Sequence, residues 1–551
     1  MRKITAVLGL FCLILSFSCK KDGLDPITPA QQTTSTGTTS TDTAAVAGAA
    51  GSSVPNGAST GTKTTTGPTT GGSATTKTST PTGAVSATSG SATVKTTTPT
   101  SGGTGTTPTT PPTTTTPPPI TTATPTMMTG VYADGVHDDT QVLQKYLNVG
   151  DVTLTPGKTY NVTGLRVTYN FDLNGSTIHM TRTSGTGVAL VTSGATVTNG
   201  SVTGIWSSSA LGNPNGVQGM AIYADNATIS NVTISSFPSY GIVVVGARNN
   251  PSITNCTITT NGYMGFYFDA ETGNTSGGVF SNNVVDQSML PAATISESGV
   301  AIRGSSNNPA VVTSNWTITG NVFKMPVKPA DWSAEGIEVR YMTNSVISNN
   351  TFIAGSIGCS VVRSSGITVS ANKFSGSDAE ALEFADCKLC STKNNIITSA
   401  INIGILLDGT YGSSDITLNG DIVSGTGSDC IEAYKGCQNI TITSCTLTAA
   451  KSGKAINLMN TNIVKVQNTT FIGNGIASMA VMLDTCPGNF SMTGGSVTNF
   501  KSCVITIYSA QSGLVTNNVT MSGVTVSGVP TALAKVVENG ASVGSNIVVS
   551  L

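Results

Sequence analysis

Three arginines close successive segments of one form: GVAIR ending at Arg303, GIEVR at Arg340 and CSVVR at Arg363. The segments GFYFD from Gly265, ALEFA from Ala381, GILLD from Gly404, CIEAY from Cys430 and AINLM from Ala455 share it, a small residue followed by alternation. In an extended strand the third and fifth positions lie on one face. The third positions are Tyr267, Ala301, Glu338, Val361, Glu383, Leu406, Glu432 and Asn457. The fifth are Asp269, Arg303, Arg340, Arg363, Ala385, Asp408, Tyr434 and Met459. Charged residues are only 10% of the chain, yet many fall on this strip. Stacked guanidiniums repel unless anions lie between them. Glu338 and Glu383 can supply such anions, and a carboxylated or sulfated polymer can supply others, since guanidinium forks match carboxylates.

The acids have a pattern of their own. Glu335-x-x-Glu338, Glu380-x-x-Glu383 and Asp429-x-x-Glu432 recur in alternate segments. If the segments stack as strands, Glu338 and Glu383 are ~9.6 Å apart, and Glu383 to Asp408 is a diagonal of roughly 8 Å. Separations of ~6.5–9.5 Å suit an acid and a base with a water between them, as in inverting glycoside hydrolysis. The same oxygens, Glu335, Glu338 and Glu383, could hold Ca2+, which takes ~6–8 hard ligands. Sugar-contacting candidates are Tyr267, Asp269, Tyr434 and Lys435 on the strip. The longer connections 286–298 and 324–334 add Lys324, Lys328 and Trp332, and Tyr263 extends the aromatic surface.

The elements that must hold this strip are repeats. From Gly200 onward a strand–turn–strand unit recurs about every two dozen residues, too short to bury a core alone. In FSNNVV, ITGNVF, ISNNTF, VSANKF and TKNNII, the residues Asn283, Asn321, Asn350, Asn372 and Asn395 occupy one turn position. Coils stacked ~4.8 Å apart let such amides bond to one another along the axis, which buried amides require. The expectation is an all-β, right-handed parallel β-helix of about thirteen coils.

Residues 1–18 read as a signal peptide: Arg2 and Lys3, an apolar run from Ala6 to Leu15, then Ser18-Cys19. Cys19 resembles the acylated cysteine of a bacterial lipoprotein. Residues 19–126 are Thr, Ser, Pro, Gly and Ala with almost no large apolar residue, a disordered tether with a reach of roughly 60 Å. The chain is then expected to be exported and lipid-anchored at the outer membrane, as a monomer. A net charge of −1 and the lack of a basic face argue against nucleic acid. Of the 11 cysteines, Cys12 falls in the signal and Cys19 takes lipid. Cys256 and Cys445 fall in the asparagine column, and Cys359, Cys430 and Cys503 are assigned one shared strand position. That placement reads as packing, with a Cys430–Cys437 bridge open. Cys387-x-x-Cys390 has no second half for a zinc site.

Residues 127–180 form the expected cap, followed by the β-helix over 181–551. Asp138 or Asp139 is a natural N-cap for a short helix with Val142, Leu143 and Tyr146 on its inner face. The stretch GVYADGVHDDT…TPGKTY resembles the opening of the pectate-lyase and rhamnogalacturonase-like β-helix superfamily. The resemblance implies the fold and a carbohydrate substrate, without choosing among lyases, hydrolases, epimerases and inert tailspike-like proteins. GSDCI from Gly427 resembles the polygalacturonase-type GDDCI coil. Asp429 matches its second aspartate, but Ser428 replaces the first, and Ser452-Gly453-Lys454 stands where that family has Gly-His-Gly. Both departures speak against a polygalacturonase mechanism. The histidines, His137 and His179, lie in or next to the cap.

The leading expectation is a polysaccharide lyase cleaving an anionic, uronate-containing polymer by β-elimination. An arginine or Lys328 would take the C5 proton, and cations or Ca2+ would offset the carboxylate charge. A glycoside hydrolase using Glu383, Asp408, Asp429 or Glu432 is the second reading, and a non-catalytic glycan-binding or adhesive solenoid the third.

Overall fold

The computed structural model describes residues 124–549 apart from 208–209, 211, 292–297, 306, 328–333, 411, 450–452, 510–515, 530–531 and 539–546. The signal segment, Cys19 and the tether up to 123 lie outside the described residues. So do Lys328 and Trp332.

Every paired strand runs parallel to its neighbours. Fifteen strands stack into one sheet, from Leu165–Val167 to Ala532–Glu538. Thirty more form a continuous second sheet, and Thr275–Ser276, Thr313–Ser314 and Met342–Thr343 make a short third. The chain is thus a parallel β-helix of about 15 coils, two more than the sequence repeats suggest. The first coils are hard to see in sequence because Asp134–Asp138 and Thr159–Val162 join the ladder before the asparagine motif begins. Thr126 is already tied to the first coil, with its N–H donating to Thr153 O at 2.7 Å.

The helix Thr140–Leu147 buries Leu143 and Leu147 and packs against Leu165–Val167. Val142 is only half-buried, so Leu147 takes the place the sequence reading gave it. The two aspartates divide their work. Asp138 Oδ1 accepts from Thr140 N at 2.9 Å, satisfying a first-turn donor. Asp139 is buried and accepts instead from Tyr132 N and Ala133 N at 2.7 and 3.1 Å, pinning the incoming chain.

The asparagine turns work as a ladder with a direction. Each Nδ2 donates to the next Oδ1: Asn283 to Asn321 at 3.1 Å, Asn321 to Asn350 at 2.9 Å, Asn350 to Asn372 at 3.0 Å and Asn372 to Asn395 at 3.0 Å. The second proton of each goes back one coil, as from Asn350 to Ile318 O at 3.0 Å. Each Oδ1 also receives a backbone N–H, so every buried amide is satisfied. The residue before each rung is left-handed, φ 55 at Asn282, 69 at Gly320, 56 at Asn349, 53 at Ala371 and 55 at Asn394, where Asn and Gly strain least. That explains the doubled asparagines of the motif. The ladder ends on Asp421, a residue the sequence reading passed over. Its Oδ1 accepts from Asn395 Nδ2 at 2.9 Å, and Thr392 Oγ1 donates to Oδ2. A carboxylate donates nothing, so it needs no further rung.

Inside, Phe280, Phe323, Phe352 and Phe374 stack face to face, with centroids 6.4, 4.8 and 4.7 Å apart. The nine cysteines among the described residues are buried free thiols, so no Cys430–Cys437 bridge forms. Cys256 N donates to Asn283 Oδ1 at 2.9 Å, placing it at the head of the ladder as expected. Cys359, Cys430 and Cys503 do not share a column: Cys359 pairs with Ile337, Cys430 precedes Ile431, which pairs with Ile405, and Cys503 pairs with Met479.

Candidate functional site

The strip is the outer face of the fifteen-stranded sheet. Its register matches the sequence reading in seven of the eight segments. Tyr267 pairs with Ala301, Ala301 with Glu338, Glu383 with Leu406, Leu406 with Glu432 and Glu432 with Asn457. The exception is CSVVR. Ser360, not Val361, pairs with both Glu338 and Glu383, and Val362 pairs with Arg340. Val361 is therefore in the core and Arg363 lies one residue past the strand, at φ 47. The first position of this coil is Gly358, not Cys359. A Cβ there would meet Ala381 O at 2.6 Å, the same close approach that makes Gly336 and Gly404 necessary in their coils.

Consequently the triple arginine ladder reduces to a pair. Arg303 and Arg340 are in register, with Glu338 between them. Arg303 Nη2 lies 2.5 Å from Glu338 Oε2, and Arg340 Nε lies 2.8 Å from Oε1 without its N–H pointing along the contact. Glu338 is 2% exposed, so this is a largely desolvated triad. Arg363 turns away to Tyr341, donating from Nη1 to the phenol at 3.0 Å, with Asp386 3.9 Å from its Nε. Tyr267 is not an open stacking platform. Its ring is stacked on Tyr240 at 5.0 Å on one side and lies 5.7 Å from the Arg303 guanidinium. Its hydroxyl donates to Asp269 at 3.3 Å. Burial, then the charge of Asp269, push the phenol well above its ordinary value, so it stays protonated. Tyr263 meets Tyr240 edge-on, and Lys324 pairs with Asp286 at 3.2 Å on the other sheet, away from the strip.

The calcium set does not converge. Glu335 accepts from Ser298 Oγ at 2.5 Å, Glu338 is held by its arginines and Glu383 accepts from Ser360 Oγ at 2.7 Å. Among the described residues no group of three His, Cys, Asp or Glu side chains is placed to hold a metal ion.

A second centre lies four coils from the arginine pair, ~19 Å along the axis. Asp429 is 1% exposed and lies two residues before the Glu432 strand, Ile431–Tyr434. Its Oδ1 accepts from Lys454 N at 2.9 Å and its Oδ2 from Asn457 Nδ2 at 2.9 Å, with Lys454 Nζ 3.6 Å away. Gly453 permits this approach: a Cβ there would lie 1.9 Å from Ser428 O. Asn457 Nδ2 also reaches Glu432 Oε2 at 3.5 Å. Burial first, and then the Asp429 charge, raise the Glu432 carboxyl from its ordinary 4.5 to about 7, against the pull of Lys454. One coil back, Asp408 is surrounded by donors: Thr410 N at 2.9 Å and Oγ1 at 2.6 Å, Tyr434 OH at 3.0 Å, and Lys435 Nζ at 3.7 Å. Lys435 Nζ also lies 4.7 Å over the Tyr434 ring. The sequence names Asp408, Asp429 and Glu432 with Glu383 as hydrolase carboxylates, and Tyr434 and Lys435 as sugar contacts. Lys454 and Asn457 were missed as partners, although Lys454 stands where the GDDCI family keeps a histidine motif.

The chain matches the right-handed β-helix region family over residues 161–325 and 293–447. No curated protein sequence matches it. Among solved structures, it is similar to the A-module of the mannuronan C-5 epimerase AlgE6 of Azotobacter vinelandii, at 17% identity and a TM-score of 0.38, covering 72% of this chain and 97% of that one. The N-terminal fragment of gene product 12 of bacteriophage Phi29 is similar at 14% identity and a TM-score of 0.49, covering 74% and 71%. PfbA, a surface adhesin of Streptococcus pneumoniae, is similar at 16% identity and a TM-score of 0.36, covering 62% and 90%. Likeness at these identities does not reach the reaction.

Proposed function

We propose that this chain, which belongs to the right-handed β-helix family, binds a polysaccharide along its fifteen-stranded sheet and hydrolyses it there. A face that repeats every ~4.8 Å suits a polymer that also repeats by translation. The observation that carries the reaction is the unlike surroundings of two outward carboxyls. Glu432 is buried beside the Asp429 charge, which raises its carboxyl to about 7, while Asp408 accepts from Thr410 N, Thr410 Oγ1 and Tyr434 OH, with Lys435 Nζ 3.7 Å away. We assign Glu432 as the acid and Asp408 as the base on that difference in surroundings.

Glu432 pairs with Leu406 and Asp408 with Tyr434, so the two are one coil and two residues apart. Their backbone diagonal, roughly 8 Å, leaves room for a water. In the hydrolysis, the water oxygen attacks the anomeric carbon and gives its proton to Asp408. The glycosidic C–O bond breaks toward the leaving oxygen, which takes the Glu432 proton. Solvent then removes the proton from Asp408 and restores the one on Glu432.

β-Elimination is the second reading, favoured by the Arg303–Glu338–Arg340 triad, in which two cations share one carboxylate. It is weakened because Arg363, counted on as the third cation, is outside the strip. The neighbouring calcium set does not converge, so neither reading routes a step through a metal. The experiment is to incubate the protein with a panel of polysaccharides, following new reducing ends and the ultraviolet absorbance of unsaturated products together. Reducing ends without absorbance that vanish in Glu432→Gln support hydrolysis. Absorbance that vanishes in Arg340→Ala establishes elimination, and neither signal on any polymer leaves a binding solenoid. Export and lipid anchoring through Cys19 remain part of the proposal, tested by labelling with a fatty-acid analogue and by Cys19→Ala.

A further inference from the structure

The face that carries Glu432 also holds a group suited to receive a charge well away from the reacting centre. Arg340 occupies the outward fifth position of its strand, and 19% of its side chain is exposed. Its Nε lies 2.8 Å from Oε1 of the buried Glu338, which anchors the guanidinium by one edge. Nη1 and Nη2 have no acceptor among the described residues, and unlike Nε they reach the surface. Most of the donors of this planar fork are therefore without a protein partner. Arg303 differs: it gives Nη2 to Glu338 at 2.5 Å and lies 5.7 Å from the Tyr267 ring.

The neighbouring positions leave the Arg340 fork uncontested. Arg340 pairs with Val362, Val362 with Ala385 and Ala385 with Asp408. Val362 and Ala385 carry no polar side-chain atoms. In the adjoining column Ser360 Oγ donates to Glu383 at 2.7 Å, so those two groups are engaged with each other. A polymer laid along the sheet from Glu432 thus meets, four coils and ~19 Å away, a fixed guanidinium edge that matches an anionic group.

We propose that Arg340 receives the anionic group of a sugar several residues from the cleaved bond, so that the substrate is an acidic polysaccharide recognised by its charge at a distance from Glu432. The inference rests on the reading of the fifteen-stranded sheet as the polymer-binding face. Arg340 is then a binding residue, too far from Glu432 to touch the bond that breaks. Its loss raises KM and leaves kcat in place.

The test titrates the Glu432→Gln protein, and the same protein carrying Arg340→Met or Arg340→Lys, with polygalacturonate, alginate and dextran sulfate. Polygalacturonate and alginate with their carboxyls reduced to alcohols serve as neutral counterparts. The expected result is salt-sensitive binding to an acidic polymer that falls about tenfold in Arg340→Met and is recovered only in part by Arg340→Lys. The reduced polymer should bind all three proteins equally. Dependence on Arg340 with the uronates identifies a carboxylate and with dextran sulfate alone a sulfate, and either supports the proposal. Binding that is unchanged in Arg340→Met, that falls equally for the reduced polymer, or that is absent for every acidic polymer overturns it. Arg340→Lys keeps a cation beside Glu338 and decides the matter if the melting temperature of Arg340→Met drops. With the native protein, a fall in kcat in place of a rise in KM would put Arg340 at the reacting centre and overturn the proposal as well. Binding that depends on Arg340 without any cleavage leaves this inference standing and removes the hydrolase reading instead.

Discussion

Arg340 pairs across the ladder with Val362, and Arg363 falls one residue beyond it. A single slipped register therefore moves one of three aligned cations off the face they were expected to share. Arg363 still has a partner in Tyr341, at 3.0 Å. Arg363→Ala should leave the rate of polysaccharide cleavage within about twofold, because the residue acts at a turn and not at the strip. A loss of tenfold or more would place it back in the site.

Glu338 is the counter-ion of two largely buried arginines. Glu338→Ala should cost about 3 kcal/mol, since it strands both charges in a desolvated place. Urea unfolding measures this, and the triple change Arg303→Met, Glu338→Leu, Arg340→Met should recover most of the loss. If the single variant is as stable as the native protein, the triad is solvated and its charges are available to a ligand.

The Glu432 carboxyl is raised in the folded state from 4.5 to about 7. The folded chain therefore binds more protons than the unfolded one within that window. The stability this contributes is complete below pH about 4.5 and is lost as pH rises through about 7. Glu432→Gln should thus gain stability relative to the native protein at pH 8 and gain little at pH 4. Denaturation curves at the two pH values decide it.

The same carboxyl sets the alkaline limb of activity. The rate of hydrolysis should fall above pH about 7, as Glu432 loses its proton. Asp429→Asn removes the neighbouring charge and should move that limb to lower pH. A limb that stays in place would show that Glu432 is not the group being titrated.

The ladder predicts an asymmetry between its interior and its end. Asn350→Ala removes the acceptor of Asn321 Nδ2 and the donor to Asn372, at a cost of about 3 kcal/mol. Asp421→Asn should cost less, because an amide keeps the oxygen that accepts from Asn395 Nδ2 and burial already pushes the Asp421 carboxyl up, leaving the unmet donor of the new amide as the main loss. Thermal unfolding of the two variants side by side would reveal equal losses if the ladder had no direction.

Much of this architecture is legible in the sequence because it repeats. The turn asparagines identify the coil, and the alternation GIEVR or GILLD identifies the outer face, since a strand has only two sides. What escaped did so for local reasons. CSVVR offers two small residues, Gly358 and Cys359, for a position that only the carbonyl of Ala381 distinguishes. Asp421 looks like a surface acid until its neighbours are known. The link from Asp429 to Lys454 and Asn457 spans a coil, and no spacing rule within a segment reports on which side chains of the next coil lean back. The arginines drew attention by number, whereas the proton on Glu432 depends on burial, which a sequence does not display.

Because every rung of the amide ladder is made the same way, the interior of this protein is indifferent to how many rungs there are. A duplicated or deleted coil from Asn283 to Asn395 would leave each remaining amide with a donor before it and an acceptor after it, so long as Asp421 still ended the run. Change in length by whole coils is then far easier for this chain than the insertion of one residue, which would turn a strand inside out. The distance between the arginine pair and the Glu432 centre is counted in those same units, so lineages that gain or lose a coil between them would alter the reach of the binding face in steps of ~4.8 Å without disturbing either cluster.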